Sequence, residues 1–292
     1  MARDRKIPLS AINIALHEPH SAIQYVHLIQ SLYSLRRVVV LRGTTGALIG
    51  SLHPLDKSQP ENGFAGEFYQ FVHLDANEPW FDVESLEEAS EEDVAEIKIP
   101  EKLKPHLARF NFAFFPKGHR LYVQTRNKNR TFSINSVKSL LDALLTAPRF
   151  LKYNGVEVTI EPERESLSKI LEIEYLRKLE IVLVRPNPDD HSADEREVLE
   201  RLTRQDARRL DNTLYAAANE GLEPDADTKL LARVASSNGQ VTGHGLDATG
   251  NVVIKSTIDK PWVETASFNP EVQTEFDAFL QKATEMHSEI GK

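Results

Sequence analysis

The sequence predicts an α+β fold, an antiparallel-rich mixed sheet with packed helices followed by a smaller helical and hairpin C-terminal part. Three observations carry that expectation. Apolar alternation marks strands joined by short turns near Gly43, Lys117 and Asp247. Helical periodicity occupies separate stretches, without the regular βαβ spacing of a doubly wound sheet. The 292 residues are 40% apolar and 27% charged, which suffices for a sizeable core and excludes collagen, coiled coil and wholesale disorder.

Taken in order, Ile12, Ile14 and Leu16 share one face of a strand over Ala11–His17. Ser21 is placed to cap a helix carrying Ile23, Val26, Ile29, Leu32 and Tyr33. Arg37–Arg42 and Ala47–Leu52 make a hairpin around Gly43 and Gly46. A strand fits Phe68–Leu74; past an acidic segment, Pro100 and Pro105 punctuate a short helix reaching Phe110. Phe110, Phe112 and Phe114 alternate into a turn at Lys117–Gly118 and return through Leu121, Tyr122 and Val123, opening into a basic loop. Ser133 or Asn135 caps the helix of Val137, Leu140, Leu141, Leu144 and Leu145, which Pro148 stops. Val156, Val158 and Ile160 form the next strand, Ser166–Tyr175 is helical or extended, and Leu179, Ile181 and Leu183 alternate up to Pro186.

Pro186, Asn187, Pro188, Asp189 and Asp190 break structure and read as a hinge, dividing an α+β domain of residues 1–188 from a part of residues 189–292. The second part opens with a long charged helix from Asp194 to Asn219, whose apolar side carries Val198, Leu199, Leu202, Leu210 and Leu214. At about 100° per residue, Arg201, Arg204 and Arg208 fall on one stripe of it. A short helix near Leu230, a hairpin of Val241–Leu246 with Val252–Ile254, and an amphipathic helix over Glu271–Ser288 complete the chain. Homodimerisation is expected through the long charged helix or the terminal amphipathic helix.

Zero cysteines exclude disulfides, thiolate zinc sites, iron–sulfur ligation and a cysteine nucleophile, and suit a reducing cytosol. No apolar run approaches the roughly 20 residues of a membrane span, and the start Met1-Ala2-Arg3-Asp4-Arg5-Lys6 is not a signal peptide; a soluble, cytoplasmic protein without membrane insertion is expected. The net charge of −9 speaks against a nucleic-acid partner only as an average. Asp82–Glu101 holds nine acids against Lys98, a local −8, so the remainder sums to −1. By contrast Lys117, Arg120, Arg126, Lys128 and Arg130 lie within fourteen residues that contain no acid.

Specific catalytic patterns fail. Gly43–Gly50 lacks the Lys of a phosphate-binding loop and sits between strands, unlike a dinucleotide fingerprint. His17, Glu18, His20 and His27 are metal-ligand types, but Pro19 interrupts them and they lack a helical His-Glu-x-x-His spacing. His244, between Gly243 and Gly245, reads as a turn histidine. Glu157, Glu161, Glu172 and Glu174 do not form the carboxylate and Lys pattern of a magnesium nuclease, and Pro186 and Pro188 separate Arg185 from His191. No catalytic residue, metal or cofactor is expected.

The feature order from the Phe-rich hairpin and helix of Phe112–Leu145, through Val156–Pro162 and Leu179–Arg185, to the Val241–Thr257 hairpin and terminal helix resembles the RexA-like phage-exclusion proteins. It is similar also to an uncharacterised bacterial family associated with phage defence. The resemblance spans the C-terminal two-thirds and implies a two-part homodimer that binds DNA with little sequence preference and signals to an effector protein encoded nearby. The −8 segment departs from that pattern.

The resulting expectation is a non-enzymatic DNA-binding protein of anti-phage defence. Its phosphate contacts would be Lys117, Arg120, Arg126, Lys128 and Arg130, with Arg201, Arg204 and Arg208 as a second stripe and Lys255 as a weaker candidate. The alternatives are a metal-dependent nuclease or RNA-processing enzyme, and a protein-interaction module built on the acidic segment.

Overall fold

Alternation understates the first strand because both of its faces are buried. Ile7, Leu9 and Ala11 point to one side and Ile12, Ile14 and Leu16 to the other, so the strand begins at Arg5 and not at Ala11. A computed structural model describes residues 4–16, 21–74, 78–97, 99–100, 102–153, 155–185 and 193–289, without the side chains of 193–195 and 199. The Pro186–Asp190 hinge, His17, Glu18, His20 and His191 lie outside the described residues.

In chain order the elements begin with β1 (Arg5–Leu16), α1 (Ala22–Ser34), β2 (Val39–Arg42), β3 (Thr45–Pro54) and β4 (Phe64–Val72). There follow β5 (Phe81–Asp82), β6 (Glu87–Glu88), α2 (Glu91–Ala95), β7 (Ala108–Phe115), β8 (Arg120–Gln124), β9 (Arg126–Asn127), β10 (Arg130–Thr131) and α3 (Ile134–Leu145). Next come β11 (Val156–Ile160), α4 (Ser166–Leu171), β12 (Tyr175–Val184), α5 (Ala193–Thr203), β13 (Arg209–Tyr215) and α6 (Ala226–Ser237). The chain closes with β14 (Gly239–Leu246), β15 (Val252–Ser256), β16 (Val263–Phe268) and α7 (Glu275–Glu289).

The fold is α+β, with antiparallel sheets as expected. The larger sheet runs β11-β1-β8-β7-β4-β3-β2, and β16 shares the β11 edge of β1. β16 pairs with Arg5–Ser10 and β11 with Ile12–Leu16, while β8 takes Leu9–Asn13 on the other edge. One face, built around Phe64, Phe68, Phe110, Phe112 and Phe114, is covered by α1 and α3. Ser133 proves to be the cap of α3, its Oγ accepting from the Ser136 N–H at 3.1 Å. The opposite face, with Ile7, Leu9, Ala113 and Tyr122, is covered by α7.

The smaller sheet runs β13-β12-β14-β15, with α4, α5 and α6 packed on one face. His244 lies within β14, correcting the turn reading, and its Nε2 stands 2.7 Å from Glu180 on β12. The long helix is also corrected. α5 ends at Thr203, Asp206 adopts φ +48°, and residues 209–215 become β13 paired with β12. Leu210 and Leu214 misled because a spacing of four puts residues on one face in a strand as well as in a helix. The short acidic-segment helix is α2, upstream of Pro100, where Ser90 Oγ accepts from the Asp93 N–H at 3.2 Å and three acids occupy the first turn.

A division at residue 188 is overturned by the strand pairing. β12 belongs with β13 and β14 downstream, whereas β16 and α7 return to the first sheet. The elements from α4 to β15 therefore form an inserted unit, fastened where Asn13 Nδ2 donates to Ser237 O at 2.9 Å and to Asn238 Oδ1 at 3.1 Å. The amphipathic stripes expected to dimerise are consumed internally. Phe279, Ala283 and Met286 bury on the larger sheet, and Val198 and Leu202 on the smaller unit. Among the described residues no helix is long and apolar enough to cross a membrane.

Candidate nucleic-acid interface

The basic stretch from Lys117 to Arg130 is split by the strands that carry it. Lys117 stands in the β7–β8 turn, exposed, with Nζ 3.5 Å from Asn62 Oδ1. Arg126, Lys128 and Arg130 stand at the other end of β7, roughly 25 Å away at about 3.4 Å per residue. Between them Arg120 is removed from the candidate phosphate contacts. It is 7% exposed, its Nε lies 2.7 Å from Glu161, and its Nη1 donates to Asn13 Oδ1 at 2.7 Å and Gly118 O at 2.8 Å. An arginine with its donors committed inside the core does not reach a ligand.

The β9–β10 hairpin, a two-stranded sheet of its own, follows β8 in the chain. Its base is fixed by the Thr125 N–H donating to Pro8 O at 3.0 Å and the Phe132 N–H donating to Thr125 O at 2.9 Å. Phe132 itself is fully buried between Phe68 and Phe110, which anchors the outgoing strand. At the tip Lys128 has φ +51°, a left-handed turn position that leaves the side chains of Arg126, Lys128 and Arg130 in solvent. Buried Gln124 braces the structure, its Nε2 donating to Arg126 O at 2.9 Å and Glu275 Oε1 at 2.7 Å, while its Oε1 accepts from Asn111 Nδ2 at 2.8 Å.

On one flank of the hairpin lies a groove of about 660 Å³ between the start of β1, β16 and the start of α7. Arg5, Lys6, Arg126 and Lys128 line it together with Pro8 and Phe268, and among the described residues Glu275 is the one carboxylate of the lining. On the other flank a recess of about 380 Å³ is lined by Arg109, Lys128 and Arg130. Arg109 holds its guanidinium 5.5 Å from the Tyr69 ring centroid, and its carbonyl accepts from Asn127 Nδ2 at 2.8 Å. Burial pushes the Tyr69 phenol up, and the Glu67 carboxylate adds to the shift.

Arg5, Lys6 and Arg109 were not among the sequence candidates. The basic start of the chain was visible, but only the pairing of β1 with β16 and β8 carries it to the hairpin. The Arg201, Arg204 and Arg208 stripe does not exist, because Arg201 lies in the last turn of α5, Arg204 lies in the following turn and Arg208 precedes β13. Arg208 donates to Glu157 Oε1 at 2.8 Å, and its guanidinium lies where a Cβ on Gly155 would stand. This pair is at the Leu16 end of β1, whereas the groove is at the Arg5 end. Lys255 is half-buried and donates from Nζ to Lys169 O at 3.0 Å.

The carboxylates considered for a nuclease do not converge. Glu157 and Glu161 are paired with Arg208 and Arg120, and the described residues hold no group of three His, Asp or Glu able to grip a metal. On the open face of the smaller sheet, Glu180 joins Lys178 at 2.6 Å and His244 at 2.7 Å; Lys178 first, then His244, holds its carboxyl below the usual range. No curated protein matches the chain. Residues 5–284 match the family described as a domain of unknown function (DUF4747), and with nearly its whole length covered the chain belongs to that family.

Proposed function

We propose that the chain is a non-enzymatic, sequence-independent DNA-binding protein that holds the phosphate backbone in the groove beside the β9–β10 hairpin. The resemblance to RexA-like phage-exclusion proteins supports a place in bacterial anti-phage defence. The observation that carries the binding reading is the convergence of four exposed cations, Arg5 and Lys6 from β1 with Arg126 and Lys128 from the hairpin, on one groove. The segments are more than a hundred residues apart in sequence. Such an array neutralises successive phosphates and releases counterions, without reading base edges. Arg109 and Arg130 on the far flank extend the cationic track.

Fluorescence anisotropy with a random duplex tests this reading. Four phosphate contacts give a log–log salt slope of about −3.6, a loss of roughly 150-fold between 50 and 200 mM salt. Arg126→Glu/Lys128→Glu/Arg130→Glu abolishes that binding if the reading holds. Salt-insensitive binding, or an unchanged affinity in the triple variant, overturns it.

A further inference from the structure

Between β4 and β7 in the chain, residues 81–96 form an acidic arm made of the β5–β6 turn and α2. Its carboxylates Glu84, Glu87, Glu88, Glu91 and Glu92 are exposed, and no cation pairs with them among the described residues. Three large apolar side chains accompany them into solvent, Phe81 at 63%, Val83 at 74% and Leu86 at 72% exposure. The backbone nevertheless has a defined shape: the Ala89 N–H donates to Trp80 O at 2.7 Å, and Asp82 Oδ1 accepts from the Glu84 N–H at 2.8 Å. The arm is thus an acidic and apolar surface that the described residues of its own chain leave uncovered.

Arm and groove stand at the same end of the larger sheet. The arm is rooted where Gln70 pairs with Ala108 and the Val72 N–H donates to Pro105 O at 2.9 Å. The hairpin touches that root, since Gln70 Nε2 lies 3.5 Å from Thr131 O and Leu107 lines the recess with Arg109 and Arg130. The groove opens on the hairpin's opposite flank, where Pro8 and Phe268 offer apolar contact between Arg5, Lys6, Arg126 and Lys128. A two-fold axis at this end would place each arm over the groove of the other molecule.

We propose that the occupant of the arm's exposed surface is a second copy of this chain, with residues 81–96 of each molecule seated in the basic groove of the other. Charge complementarity carries the assignment: the −8 of residues 81–96 matches the four cations of the groove at the same end of the larger sheet. The contact uses the groove assigned above to phosphate but does not require that nucleic acid bind there. Where both hold, duplex and arm compete.

Sedimentation equilibrium without nucleic acid tests the proposal. At about 50 mM salt the expected mass is twice the 33.0 kDa of the chain, falling to the single-chain mass near 500 mM as screening shortens to a few ångströms. Glu87→Gln/Glu88→Gln/Glu92→Gln/Glu96→Gln, and separately Arg126→Glu/Lys128→Glu, each give the single-chain mass. An equimolar mixture of the two variants restores a heterodimer, because one intact arm and one intact groove remain. A wild-type chain of single mass at low salt, or a dimer that survives both sets of substitutions, overturns the proposal; the former assigns the arm to another partner and the latter the interface to another face. A wild-type chain that shows the doubled mass at low salt yet binds no duplex strikes the nucleic-acid reading alone.

Discussion

The two ends of the basic stretch Lys117–Arg130 differ in their physics although they read alike in sequence. At one end Arg120 faces Asn13 across β1 and is enclosed with Glu161; at the other Arg126, Lys128 and Arg130 ride a hairpin that projects past the sheet. The same residue type is a buried ion pair in one place and an exposed surface cation in the other. Strand register, and not local charge density, decides which arginine reaches solvent.

The largest expected effect lies at the buried end. Arg120→Met strands Glu161 in the core, and urea denaturation is expected to show a loss of about 3–5 kcal/mol. Arg120→Met/Glu161→Met recovers most of that loss, since neither charge is then left unpaired. A cost below about 1 kcal/mol for the single change breaks the comparison, because Arg120 would then behave as a surface residue.

At the exposed end the order of effects reverses. Arg126→Glu/Lys128→Glu/Arg130→Glu changes stability by no more than about 0.5 kcal/mol per site in the same denaturation experiment, while duplex affinity at low salt falls on the order of a hundredfold. A variant that unfolds would make the hairpin cations structural. Arg208→Ala sharpens the comparison from a third position: its ion pair with Glu157 is half-exposed, so thermal melts are expected to register less than about 1 kcal/mol.

Much of the fold was legible because local signals agreed with burial. Phe110, Phe112 and Phe114 alternate as a strand should, and Ser133 stands before a helix whose apolar positions recur at helical spacing. Three features were not legible, each for a physical reason. β1 is buried on both faces, so its first half shows no alternation; Leu210 and Leu214 satisfy two periods at once; and β16 returns to β1 across more than 240 residues. The candidate site suffered from the last of these. Its hairpin cations were apparent in the sequence, whereas Arg5 and Lys6 join them only through non-local pairing, and the burial of Arg120 depends on Glu161 arriving from beyond β11.

The smallest effect concerns pH at the tip of the β14–β15 hairpin. The Thr249 hydroxyl, with the backbone N–H groups of Asn251 and Thr249, holds the Asp247 carboxyl down from 3.8 to about 2. Its folded value is depressed, so the contribution to stability is present above 3.8 and is lost as pH falls through about 2. An NMR titration of the Asp247 carboxyl should show that low midpoint, and an ordinary one would mean that the turn is open in solution. Neither result touches the basic stretch.

The most direct measurement reverses equal charge in two places. Duplex titrations at about 50 mM salt would compare Arg5→Glu/Lys6→Glu/Arg126→Glu/Lys128→Glu with Lys117→Glu/Arg201→Glu/Arg204→Glu/Lys255→Glu, two variants of identical net charge. Loss of binding in the first with near wild-type affinity in the second is the outcome expected of a phosphate-holding groove. Equal losses in both would contradict it, because binding would then follow the charge of the whole molecule and not the place where four cations meet.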